Sequence, residues 1–405
     1  MVRISVVDFP ALVAPWFELM LEQIPGIELF DAHTHLGQND PDGMSQTPEQ
    51  LLDTLSFARA RGAFVFPMHE PGGYPPANDM VLAAAAESEG LLTPFCRVSP
   101  NAGNALAEAE RALDAGAKGI KLHPRAEQFG LDHPAMDQLA AVAHERGLPI
   151  LIHAGRGIPA LGEHAVDLAG RFPNARLILA HAGICDLSWI WRVAADHPNL
   201  LFDTAWWMPA DLKALFAMVP PGQVLFASDA PYGSTAISGV FQLRVALQVG
   251  LSPDQIRSIA SGQSLRIAAG EPLAPCGPAI GERELAPHYL LDRVSEFTLL
   301  GAIATMRGNE GGPEMLALAR QACDVPDELD DAPVFAAIRQ LLDHFDHGTS
   351  VAPTDRRRFA FLILAANVAR TPDVPVPAVA SAKGLAPCRR RESGCAPRSA
   401  AGRST

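Results

Sequence analysis

Eight short apolar runs recur through the first two thirds of the chain: IELFDAHTH, GAFVFPMH, LLTPFCRVS, KGIKLHP, LPILIHAG, ARLILAHAG, NLLFDTAWW and QVLFASDAP. Each is almost continuously apolar, the pattern of a parallel strand buried on both faces. Between them lie segments with helical spacing, such as TPEQLLDTLSFARARG, NALAEAERALDAGA and PAMDQLAAVAHERGL. The first carries its own boundary signals: Thr47 as N-cap, Pro48 in the first turn, Gln50 completing a capping box and Gly62 as the stop. Strands alternating with helices in this number predict a (β/α)8 TIM barrel. A doubly wound open sheet is the alternative, but its usual G-x-G-x-x-G after the first strand is absent.

The alternation ends near SPDQIRSIASGQSLRIAAGEP, so residues 1–271 are assigned to the barrel. Residues 272–370 hold helical stretches such as YLLDRVSEFTLLGAIATMRG and VFAAIRQLLDHF without strand patterns, and read as a C-terminal α-helical extension. Its apolar stripes must be covered, either by the barrel or across a homodimer interface. Residues 371–405 turn to Pro, Ala, Ser, Gly and Arg, a composition that predicts a disordered tail.

Composition narrows the partners. A net charge of −13 argues against a nucleic-acid partner, which wants a basic face. The longest apolar run, FAFLILAANVA, is too short for a membrane span. No basic start followed by an apolar segment marks a secretory leader, and the 6 cysteines form no CxxC pair. The expectation is a cytoplasmic protein with reduced thiols, acting on a small-molecule substrate.

Functional residues of such a barrel sit at the C-terminal ends of its strands. There the polar residues are unusual. Strand 1 ends with His33 and His35, which share one face because side chains alternate. His153 ends strand 5, His181 ends strand 6 and Asp229 ends strand 8. A lone histidine in such a place is commonly a satisfied core residue. Four at one end of one barrel, with a carboxylate, predict a divalent metal site, zinc first and manganese second. Such an ion lowers the pKa of a bound water to about 7. Asp229 suits a double role, as ligand and as acceptor of that water's proton.

This constellation resembles the amidohydrolase superfamily over roughly the first 270 residues. The matching residues are DAHTH of strand 1, His153, His181 and Asp229. GIKLHPR, LIHAG, LAHAG and ASDAP are most similar to its amidohydrolase-related, mostly mononuclear branch. That resemblance implies metal-dependent hydrolases, and also nonoxidative decarboxylases such as those of aminocarboxymuconate semialdehyde and resorcylate. Binuclear members carry a carboxylated lysine or a glutamate on strand 4, whereas this chain has Lys121 and His123 there. The expectation is therefore one ion, with His123 lining the pocket and Lys121 paired with Asp31 one layer deeper. A carboxylated Lys121 holding a second ion is the alternative.

Arg125 and Arg156 follow strands 4 and 5 and suit an anionic substrate. His69, ending strand 2, and Trp206 after strand 7 are further substrate-binding candidates. The resulting expectation is a metal-dependent hydrolase of a small ester, lactone or amide. The alternatives are a metal-dependent decarboxylase of an aromatic or enoic acid, and a catalytically silent barrel acting in assembly.

Overall fold

The computed structural model describes residues 9–41, 43–282, 288–347 and 358–378. The expected tail from position 379 onward lies outside the described residues. The apolar runs form the strands β1 (Phe30–Leu36), β2 (Gly62–Pro67), β3 (Leu92–Pro94), β4 (Cys96–Arg97), β5 (Ile120–Leu122), β6 (Pro149–Ile152), β7 (Arg176–Leu179), β8 (Leu200–Asp203) and β9 (Val224–Leu225). Each pairs in parallel with the next, apart from β3 and β4. Those two are one strand interrupted at Phe95, whose N–H still donates to Val65 O of β2 at 2.8 Å. The ring closes where Ala32 N–H donates to Phe226 O at 2.9 Å and His35 N–H to Ala230 O at 2.8 Å. A closed barrel leaves no strand edge unpaired.

Alternation sorts the strand residues into two cores. Leu151, Ile178, Leu201 and Leu225 point inward and pack with Phe30, Phe64, Phe66 and Phe95. Ile150, Ile152, Leu177, Leu179 and Leu200 point outward into the layer of helices. Each such side chain contributes roughly 1.5–3 kcal/mol by leaving water. The inward set fills the lower barrel, so polar residues on the same face emerge only at the mouth.

β1 departs from simple alternation. Its register against β2 slips between Asp31 and Thr34, so one extra residue is accommodated there. Asp31 lies opposite Ala63, which faces outward, whereas His35 lies opposite Phe66, which faces inward. The bulge therefore turns both His33 and His35 into the barrel and Asp31 out of it.

The capping box at Thr47 and Gln50 forms as expected on the helix Pro48–Phe57. That helix ends before Gly62, which instead opens β2 with φ +157°. A side chain at Gly62 would meet Leu91 O at 2.7 Å. Among the described residues, four helices follow the barrel: Tyr289–Met306, Gly312–Ala322, Ala332–His347 and Phe359–Ala369. Phe359–Ala369 is apolar on all sides because it lies among Tyr289–Met306, Ala332–His347 and the barrel helix Thr235–Val249.

The first residues of the expected tail are docked. Thr371 and Val374 are buried. The fully buried Arg244 donates to Thr371 O at 3.0 Å, Val374 O at 3.0 Å and Pro375 O at 2.5 Å. A guanidinium offers five donors in one plane, enough to satisfy several carbonyls that no regular element pairs. Replacing Arg244 by Ala strands those carbonyls and leaves a cavity. We expect Arg244→Ala to lower unfolding stability by about 3 kcal/mol, measured by urea denaturation of the full chain.

Candidate metal centre

The bulge in β1 brings His33 and His35 to the barrel mouth. There they meet Asp229, which follows β9 with φ 61°. His33 Nε2 and His35 Nε2 lie 3.2 Å apart, and Asp229 Oδ1 lies 3.2 Å from the first and 3.1 Å from the second. One potential ligand atom from each of these three residues falls within 4.8 Å of the other two.

Neighbours set which nitrogens carry lone pairs. His33 Nδ1–H donates to the buried carboxylate of Asp203 at 2.7 Å, leaving Nε2 unprotonated toward His35 and Asp229. His181 Nδ1–H donates to Ala205 O at 2.7 Å, so its Nε2 is likewise free of a proton. That Nε2 lies 3.0 Å from His153 Nδ1. His153 and His181 thus form a second pair beside the first, with the His33 and His181 rings 5.2 Å apart. Burial pushes His33, His35, His153 and His181 below the usual histidine range, with Lys121 adding to the effect. All are therefore neutral imidazoles near neutral pH, the form that binds a metal.

Two imidazole nitrogens and a carboxylate oxygen within 3.2 Å of one another are a donor set that suits a borderline divalent cation. The residues present fit such an ion. Two further features keep them in place. Asp203 Oδ1 accepts the N–H groups of His181 at 2.8 Å and Ala205 at 3.0 Å, so one carboxylate ties β8 to β1 and to the turn after β7. Gly155 allows close approach, since a Cβ there would sit 2.7 Å from His181 Cδ2 and 3.1 Å from His153 Cε1.

Several expected partners differ. Lys121 does not pair with Asp31. Its Nζ donates to His33 Nε2 at 3.2 Å, over the ring of Phe66. The bulge is the reason: Asp31 faces outward and accepts from Ser228 N–H at 2.9 Å and Thr235 Oγ1 at 2.6 Å. Burial raises Asp31 to about 6 despite those bonds. His123 stacks on His153 with ring centroids 3.9 Å apart, and its Nδ1 accepts from Ala126 N–H at the start of the helix Pro124–Glu127. His69 stands apart from the cluster, 3.9 Å from Glu127. Trp206 packs edge-on to His181 at 6.4 Å and carries Arg156 over its face at 6.0 Å. Arg125 is exposed beside the loop after β6.

Three residues were overlooked in the sequence. Asp203 ends the run NLLFD just as the histidines end theirs. Arg97 ends LLTPFCR and is buried at the mouth, donating to Glu127 Oε1 at 2.6 Å. Tyr232 lays its ring against His35 at 5.8 Å. The strand-end rule applied to every polar residue, and not to histidine alone, would have found the first two.

The sequence profile described as Amidohydrolase matches residues 30–267. That is more than half of the chain, which belongs to the amidohydrolase family. No curated protein matches it. Among solved structures it is similar to an uncharacterized TIM-barrel protein from Bordetella bronchiseptica, at 18% identity and TM-score 0.47, covering 64% of this chain and 91% of that one. It is similar to the 2,6-dihydroxybenzoate decarboxylase from Rhizobium, at 14% identity and TM-score 0.47, covering 60% and 98%. It is also similar to the 4-oxalomesaconate hydratase from Rhodopseudomonas palustris, at 15% identity and TM-score 0.44, covering 60% and 96%.

Removing the carboxylate behind His33 frees that ring to rotate or to change tautomer. We expect Asp203→Asn to weaken zinc or manganese binding by about 10–100-fold, measured by titration calorimetry, with an unchanged far-ultraviolet circular dichroism spectrum. A second expectation concerns pH. Burial raises Asp229 to about 6, so protons compete with the ion for its oxygen as pH falls through that value. Metal affinity should level off above it and drop below it, by up to about tenfold per pH unit for one displaced proton. An affinity unchanged from pH 8 to pH 5 would contradict this.

Proposed function

We propose that the protein is a metal-dependent hydrolase of a small ester, lactone or amide, with one divalent ion, zinc or manganese, held by His33, His35, His153, His181 and Asp229. The observation that carries this reading is the inward carboxylate of Asp229, whose Oδ1 lies 3.2 Å from His33 Nε2 and 3.1 Å from His35 Nε2 at the barrel mouth. A divalent cation bound there supplies Lewis acidity toward an oxygen of water or substrate.

The chain's own residues do the rest. Asp203 holds the His33 ring with its lone pair toward the centre. Asp229 Oδ1 accepts a proton from the attacking water, and the same carboxyl then delivers it to the leaving group. Its pKa is raised by burial, which brings a carboxyl closer to neutrality and makes both transfers easier. The inward phenylalanines below the mouth exclude water from the floor of the site. In this proposal the barrel of residues 1–271 carries the chemistry, and the helices of residues 272–370 supply no ligand.

Asp229→Asn keeps the size of the side chain and one oxygen but removes its basicity. We expect it to retain much of its metal and to lose turnover by about 10²-fold or more, measured on a panel of lactones, esters and amides and normalised to metal content. Near-normal turnover per metal would remove Asp229 from the reaction. Release of carbon dioxide from an aromatic or enoic acid, with no hydrolysis of any panel member, would replace the hydrolase by a decarboxylase.

A further inference from the structure

The loops after β5 and β6 border an open cavity of about 500 Å³ at the barrel mouth. Phe129, Leu131, Ile158, Pro159 and Leu161 give it an apolar wall, and Arg125, Gln128, Asp132 and His164 are the polar side chains that line it. The β6 loop is held in shape at its far end, where Leu161 and Gly162 N–H both donate to Asp186 Oδ2 at 2.9 Å. Its near end is Gly155, which abuts the rings of His153 and His181. One short loop therefore runs from the metal centre to the cavity.

Arg125 lines that cavity and is exposed. No carboxylate among the described residues pairs with it, and Arg156 has only the Trp206 ring. Elsewhere the arginines are mostly matched: Arg59, Arg111, Arg146 and Arg171 each meet an acidic side chain. In a chain of net charge −13, unpaired guanidinium groups on adjoining loops stand out. Gly157 makes room for one of them. Its φ is +81°, and a Cβ there would lie 3.1 Å from Arg125 Nε.

We propose that this cavity is the specificity pocket, and that it selects an amphipathic acid, with a carboxylate held by Arg125 and a hydrocarbon tail along the apolar wall. The guanidinium fork matches a carboxylate geometrically, and it repels an ammonium group of the same size. The apolar wall rewards each methylene removed from water. This inference names the substrate class of the proposed hydrolase. The binding it describes, however, requires no metal, because neither Arg125 nor the wall belongs to the ligand set.

The test compares hexanoate, acetate, hexanol and hexylammonium by ligand-detected NMR titration. It uses the full chain as purified and again after chelation. Hexanoate should bind at least about tenfold tighter than acetate, which lacks the tail, and about tenfold tighter than hexylammonium. Arg125→Ala should weaken hexanoate about tenfold and leave hexanol unchanged, with part of the loss recovered in Arg125→Lys. Ile158→Ser, on the half-buried part of the wall, should weaken hexanoate and spare acetate. Hexanoate binding that is indifferent to Arg125→Ala, or hexylammonium binding as tightly as hexanoate, overturns the proposal. Binding that vanishes on chelation also overturns it, since the acid would then sit on the metal, and the hydrolase reading would survive. Hexanoate binding that persists in protein found to take up no metal would sink the hydrolase reading and leave the pocket standing.

Discussion

The carboxylate of Asp203 is the interaction on which the site depends. It is fully buried, and each oxygen is occupied: one accepts from His33, the other from the backbone of His181 and Ala205. Leaving such a group unpaired in a low-dielectric interior costs several kcal/mol, so the surrounding backbone is obliged to meet it. That obligation links β8 to β1 and to the turn after β7. It also explains the strained backbone nearby, where His181 and Ala182 take φ of 57° and 59°. Non-glycine residues adopt that region only when the surroundings hold them there.

The same burial tunes the electrostatics. Desolvation keeps the clustered imidazoles neutral and raises the nearby carboxyls. It also pushes the Lys121 amine down from its ordinary range. Arg97 is the fixed cation of the inner mouth, and Glu127 answers it directly. The outer arginines are left without such answers. Guanidinium groups at the rim suit a negatively charged guest in an otherwise acidic protein.

The helices beyond the barrel serve the same architecture from outside. Phe359–Ala369 could not face water, and it lies against the helix that follows β9, the strand that leads to Asp229. Arg244 on that helix then pins the chain at Thr371. The extension thus braces the last strand of the barrel without contributing, among the described residues, any atom to the cluster of His33, His35 and Asp229. No described helix is long and apolar enough to cross a membrane.

The sequence by itself determined the barrel. Continuous apolar runs spaced by helical segments admit few other packings, and polar residues ending those runs must emerge together at one mouth. His33, His35 and Asp229 were legible for that reason, as was the capping box at Thr47. The helices of the extension were legible from their spacing. What the tertiary structure decided was phase and partnership. The bulge in β1 adds one residue, which periodicity cannot reveal, and it sends Asp31 outward and Lys121 to His33. Gly62 reads as a helix stop in the sequence, yet it opens a strand because Leu91 and Phe30 crowd it. Thr371 and Val374 read as tail until the buried Arg244, far away in sequence, supplies donors for their carbonyls. Local pattern sets which elements form. Which polar atoms are left to satisfy one another is settled only when distant strands close the ring.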